Sequence, residues 1–175
     1  MVLELVIGGS LAIYFFYKQY DVDKKNATLL EKRKNIVFQE TVFALKRIWF
    51  NAQSIIVNCQ INGFGDELDE KFPTHGMIFE IIKVHKNQFY VNIQHIRTLV
   101  TGSSDAIDPP ELIQKLLGLC NDMNERISRE EFRFSNRWSV ITKQISEFVK
   151  TDFPTYYNSF DFDDTMFSSI TKKPE

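Results

Sequence analysis

The feature that most limits the fold of this chain is an apolar stripe, Phe38, Val42, Leu45, Trp49, Ala52, Ile56 and Cys59, whose steps alternate between four and three residues. Side chains three and four apart share one face of an α-helix, whereas a strand alternates its faces at every second residue. The stripe therefore predicts a long amphipathic helix. Val37, Ala44, Ile48 and Ile55 widen it beyond the seam of a two-stranded coil, to the face a helix presents inside a bundle. The pattern predicts helix from about Lys25 to Asn62, ended by Gly63 and Gly65.

Two more patterns follow. Ile78, Ile82, Phe89, Ile93, Ile96 and Val100, broadened by Met77, Ile81 and Val84, predict a second helix from Gly76 to Val100, closed by the loop at residues 101–107. At Asp108-Pro109-Pro110-Glu111 a third helix has a start signal. Asp108 reads as the cap, the prolines occupy first-turn positions where a missing N–H costs little, and Glu111 reaches back as in a capping box. Leu112, Leu116, Leu119 and Met123 share its face. Ser128-Arg129-Glu130-Glu131 offers another start, and Ile127, Phe134, Trp138, Ile141, Ile145 and Phe148 keep the helical spacing until Thr151 to Pro154. With seven Gly and five Pro among 175 residues there are few breaks, so the expected class is all-α: an antiparallel three- or four-helix bundle with long helices over residues 37–150.

Ahead of the bundle, MVLELVIGGSLAIYFFYKQY carries no charge from Leu5 to Tyr17. Residues 1–20 read as a single-pass membrane anchor built on Leu5, Val6, Ile7, Leu11, Ile13, Phe15 and Phe16, provided that Glu4 reaches one headgroup layer and the tyrosines the other. A secretory signal would want a basic residue before the apolar run and small residues after it, and the chain has neither. The basic juxtamembrane segment, residues 21–36, enters the first long helix. Lys18, Lys24, Lys25, Lys32, Arg33 and Lys34 are the expected lipid-surface residues, and by the positive-inside rule they place the N-terminus outside and the C-terminal domain in the cytoplasm.

Residues 151–175 form an acidic, aromatic tail that contains Ser-Phe-Asp-Phe-Asp-Asp-Thr at 159–165. Its Asp-x-Asp-x-Thr string resembles the opening signature of haloacid-dehalogenase-type phosphatases. In that family the first Asp attacks phosphorus from the end of a buried parallel strand, and later motifs supply the remaining groups. Here a helix end precedes the string and only ten residues follow Thr165. The tail therefore reads as a contact segment, with Tyr156, Tyr157, Phe160, Phe162 and Phe167 as candidate partner contacts that either fold back on the bundle, meet the basic run or dock on a partner.

Other chemistries lack their residues. His75, His85 and His95 are ten apart, and ten helical residues turn through about 280°, so two of them on one helix face different ways. No Arg precedes a His by four to six residues, as small helical ribonucleases of the HEPN class require. Phosphate-cradling glycine loops and the serine-hydrolase elbow are also absent. A net charge of −2 argues against bulk nucleic-acid binding, and the arginines interleaved with aromatics at Phe132–Trp138 read as the outer face of a bundle helix. Cys59 and Cys120 lie within apolar helical patterns and read as buried free thiols. No cofactor, metal or small-molecule substrate is expected.

The expected function is a membrane-anchored, cytoplasm-facing adaptor, regulator or accessory subunit that works through a protein partner or homo-oligomer. The alternatives are a membrane-acting effector or toxin that oligomerises, and a helical enzyme with a dispersed site.

Overall fold

A computed structural model describes the backbone of residues 2–61, 73–128, 135–160 and 162, and the side chains of 14–59, 80–128, 138–160 and 162. The elements are α1 (Val2–Ile61), α2 (Pro73–Gly102), a 3-10 turn (Ser104–Ala106), α3 (Glu111–Ser128), α4 (Ser135–Asp152) and the short α5 (Pro154–Ser159). There is no strand among the described residues. The chain divides into two units, Met1–Ile36 and Val37–Glu175.

Helix α1 ends within a residue of where the glycines place it but begins far earlier, at Val2 rather than near Lys25. No Gly or Pro occurs between Ser10 and Ile61 to interrupt it. Bonds across one turn tie the stretch expected to separate anchor from bundle: Gln19 Nε2 donates to Asp23 Oδ1 at 2.9 Å, Lys25 Nζ to Asp21 Oδ2 at 2.7 Å, and Thr28 Oγ1 to the Lys24 carbonyl at 2.9 Å.

The second unit is a bundle. Val42, Leu45, Trp49, Ala52 and Cys59 of the first stripe are buried together with the flanking Val37, Ala44, Ile48 and Ile55, while Phe38 and Ile56 pack against the core. Helix α2 runs antiparallel to α1, because His85 meets Asn51 whereas His95, further along α2, meets Glu40, earlier on α1. Helix α3 touches α2 where Arg97 Nη2 donates to Asn121 Oδ1 at 2.6 Å. Helix α4 runs back along α3: Gln144 faces Asp122, and further on Asp152 faces Lys115. At the centre Phe89 of α2 stacks on Trp138 of α4, with ring centroids 5.1 Å apart and planes 21° from parallel.

Three expectations need adjustment. Val84, placed on the buried face of α2, is 58% exposed. It stands two residues beyond the buried Ile82, and so about 200° round the helix from it. Helix α3 starts at Glu111, three residues after Asp108. The Asp108–Pro109 bond is cis, and the carbonyls of Pro109 and Pro110 accept the Leu112 and Ile113 N–H groups at 3.0 and 3.1 Å. Glu111 stands in the first turn of the helix.

The third adjustment concerns the membrane. Among the described residues no helix is long and apolar enough to cross a bilayer. The uncharged run from Leu5 to Tyr17 reaches roughly 20 Å at about 1.5 Å per residue, against a hydrocarbon core of about 30 Å. Lengthening it takes in Glu4 at one end and Lys18 at the other. The single-pass anchor expected over residues 1–20 is therefore withdrawn, and with it the outside N-terminus and the cytoplasmic placement that rested on a span. Of the residues assigned to it, Phe15 and Phe16 are 63% and 72% exposed on α1. The side chains of Leu5, Val6, Ile7, Leu11 and Ile13 lie outside those described.

The Phe89–Trp138 stack sets a stability test. Phe89→Ala or Trp138→Ala should each cost about 3–5 kcal/mol of unfolding free energy in a urea titration, whereas Val140→Ala, at an exposed position of α4, should change it by less than about 0.5 kcal/mol.

Candidate interaction surface

Apolar burial stops abruptly on α1 at Val37. From Tyr14 to Ile36 every side chain is exposed except Lys34, which is half-buried. Within that stretch stand nine large apolar residues: Tyr14, Phe15, Phe16, Tyr17, Tyr20, Val22, Leu29, Leu30 and Ile36. Four of them, Phe15, Val22, Leu29 and Ile36, are spaced by seven. Lys18, Lys24, Lys25, Lys32 and Arg33 are exposed on the same stretch, and Lys25 is held by Asp21 of the previous turn. Phe15 and Phe16 of the expected anchor thus share one exposed length of helix with the expected lipid-surface residues other than Lys34.

Two of the bundle's grooves bring polar side chains together. The first, about 380 Å³ between α1 and α2, is lined by Lys46, Arg47 and Phe50 on one side and His85, Gln88 and Asn92 on the other, among others. Asn51 Oδ1 can only accept, so His85 donates from Nδ1, at 3.2 Å, and the neutral ring keeps Nε2 as an acceptor. Burial pushes the His85 pKa below its ordinary 6.5. Lys46 Nζ lies 3.8 Å from the Trp49 ring centroid, and the Arg47 guanidinium lies 4.4 Å from that of Phe43, so both cations rest on aromatic faces. No hydroxyl, thiol or carboxylate is among the residues lining this groove.

The second groove, about 460 Å³, lies between α3 and α4. Its two aspartates are engaged. Asp122 accepts from Arg126 Nε at 3.0 Å and from Gln144 Nε2 at 2.6 Å, and Lys115 Nζ meets Asp152 Oδ1 at 2.6 Å. This is a polar seam that joins two helices.

The aromatic tail belongs to the fold. Phe162 is 2% exposed, with its ring edge-on to Trp49 at 6.0 Å and stacked with Tyr157 at 5.9 Å. Tyr156, Tyr157 and Phe160 pack against the core, and Phe160 also meets Phe43 at 6.2 Å. Of the three fates open to these residues, folding back on the bundle is the one the structure displays; Phe167 lies outside the described residues. So do Asp161, Asp163 and Asp164 of the phosphatase-like string, and the stretch before it is helix α5 where that chemistry needs a strand. Cys59 and Cys120 are free and buried, and desolvation pushes both thiols up to about 11. Among the described residues no group of His, Cys, Asp or Glu is arranged to hold a metal ion.

What sequence reasoning missed is the seven-residue spacing of exposed apolar positions on α1. The signal was present in the letters but hidden under the aromatic cluster at 14–17, which invited a membrane reading. No protein-family model, curated protein or solved structure matches this chain.

Two outcomes test this description. The unfolded chain protonates its histidine first as pH falls, so the His85 contribution to stability is complete above about pH 6.5 and is lost progressively below it. His85→Gln should flatten the fall in melting temperature between neutral and mildly acidic pH, measured by circular dichroism. Phe162→Ala should cost about 3 kcal/mol in denaturant, and deleting residues 155–175 should destabilise the bundle at least as much, as expected for a tail built into the core.

Proposed function

We propose that this chain is a helical adaptor or accessory subunit that works by offering the 14–36 stretch of α1 to another protein chain. The observation that carries the reading is the exposure of nine large apolar side chains along that stretch. Contiguous apolar surface in water has a free-energy cost that association removes, and a large exposed patch of it marks an interaction site. Among the described residues of the bundle, exposed apolar side chains such as Phe50, Val84 and Val91 also occur, but Trp49, Phe89, Trp138 and Phe162 are buried, and Asp122 and Asp152 are paired.

Light scattering on the full chain, isolated from the cells that make it, tests the proposal. The expected native mass exceeds the 20.5 kDa of one chain. Replacing Val22, Leu29 and Ile36 together by Gln, a residue with good helix propensity, should return the mass to that of one chain while the bundle melts at the same temperature. A wild-type chain of single-chain mass, or an assembly that survives the triple substitution, overturns it.

A further inference from the structure

The arrangement of charge around the seven-residue row identifies the kind of chain that covers it. At about 100° per residue, a step of three places a side chain about 60° to one side of the row, and a step of four places it about 40° to the other. Three residues after Phe15, Val22 and Leu29 stand Lys18, Lys25 and Lys32; four residues after them stand Gln19, Asn26 and Arg33. Both borders of the row are therefore cationic or amide, and neither contains a carboxylate. The acidic residues of the stretch sit elsewhere: Asp21 and Asp23 are one residue from Val22 and Glu31 two from Leu29, which turns them about 100° or more away from the row. Phe15, Val22, Leu29 and Ile36 are 63%, 43%, 63% and 61% exposed, so the row itself is accessible along its length.

We infer that α1 residues 15–36 receive an acidic amphipathic helix from another protein, one that sets apolar side chains against Phe15, Val22, Leu29 and Ile36 and carboxylates against the Lys18, Lys25 and Lys32 row. This deepens the adaptor reading and rests on it. A row repeated every seven residues drifts by only about 20° per step on a straight helix, so it stays on one face over a length that a partner helix can lie along. A flat lipid surface imposes no such period. A second copy of this chain is disfavoured by charge. A parallel pair would set the lysine row against itself, and an antiparallel pair would set it against the apolar row, with Asp21, Asp23 and Glu31 turned away in both. The pair between Lys25 Nζ and Asp21 Oδ2 does not oppose the proposal, since both side chains are more than half exposed and such a pair exchanges readily for a partner's carboxylate.

The test uses the full chain and a labelled synthetic helix of about four heptads, with Leu at every seventh position and Glu along both borders. Its controls are the same helix with Lys in place of Glu, and phosphatidylserine–phosphatidylcholine vesicles. Fluorescence anisotropy should show the acidic helix bound, the basic helix at least about tenfold weaker, and the acidic complex weakened by added salt. Lys18→Glu, Lys25→Glu and Lys32→Glu together should reverse the preference between the two peptides. Equal binding of both peptides, an unchanged preference after charge reversal, binding to vesicles alone, or a self-associated chain that ignores the acidic helix would each sink the proposal. The wider reading is separable. If the triple Gln variant dissociates the native assembly but charge reversal leaves it intact, the acidic partner falls and the adaptor stands; if neither variant matters, both fall.

Discussion

Burial of the inner face of α1 between Val37 and Cys59 is the interaction on which the bundle rests. Trp49, Leu45, Ile48 and Ile55 offer an apolar surface too wide for one neighbour, and the remaining helices are arranged so that it is covered. The polar contacts between helices follow from that arrangement. His85 with Asn51 and Arg97 with Asn121 are contacts at the margins, and pairs of this kind fix register more than they add stability. The Phe89–Trp138 stack supplies the aromatic centre, where area and ring geometry act together.

How much of this was legible in the letters differs by level. The inner faces were readable residue by residue, because a 3.6-residue period is local: the stripe from Val42 to Cys59, the α3 face from Leu112 to Met123, and Trp138, Ile141 and Ile145 on α4 are all buried or packed on the core. Boundaries set by competing local bonds were less readable. The carbonyls of Pro109 and Pro110 bond to Leu112 and Ile113, and α3 opens only at Glu111. The role of Phe162 was out of reach of periodicity altogether, since its burial against Trp49 depends on a contact between distant parts of the chain.

The anchor reading of residues 1–20 failed for a related reason. Composition counts apolar residues without saying where their side chains stand, and Tyr14 to Tyr17 look alike to a bilayer and to a protein groove. Angular position separates the two. A basic side chain beside every apolar position of the row, with the acids turned away, is a pattern that hydropathy averages out and that a partner helix can read.

Burial of Phe162 against Trp49 also bears on how the protein is made. Synthesis runs from the N-terminus, so the broad inner face of α1 emerges before the other helices, and the ring that closes over Trp49 is added after all of α2 to α5. Helices can form as they appear, but the core over Trp49 closes only once Phe162 has been made. Throughout that interval the nascent chain presents the inner face of α1 without the ring that covers Trp49 in the finished fold.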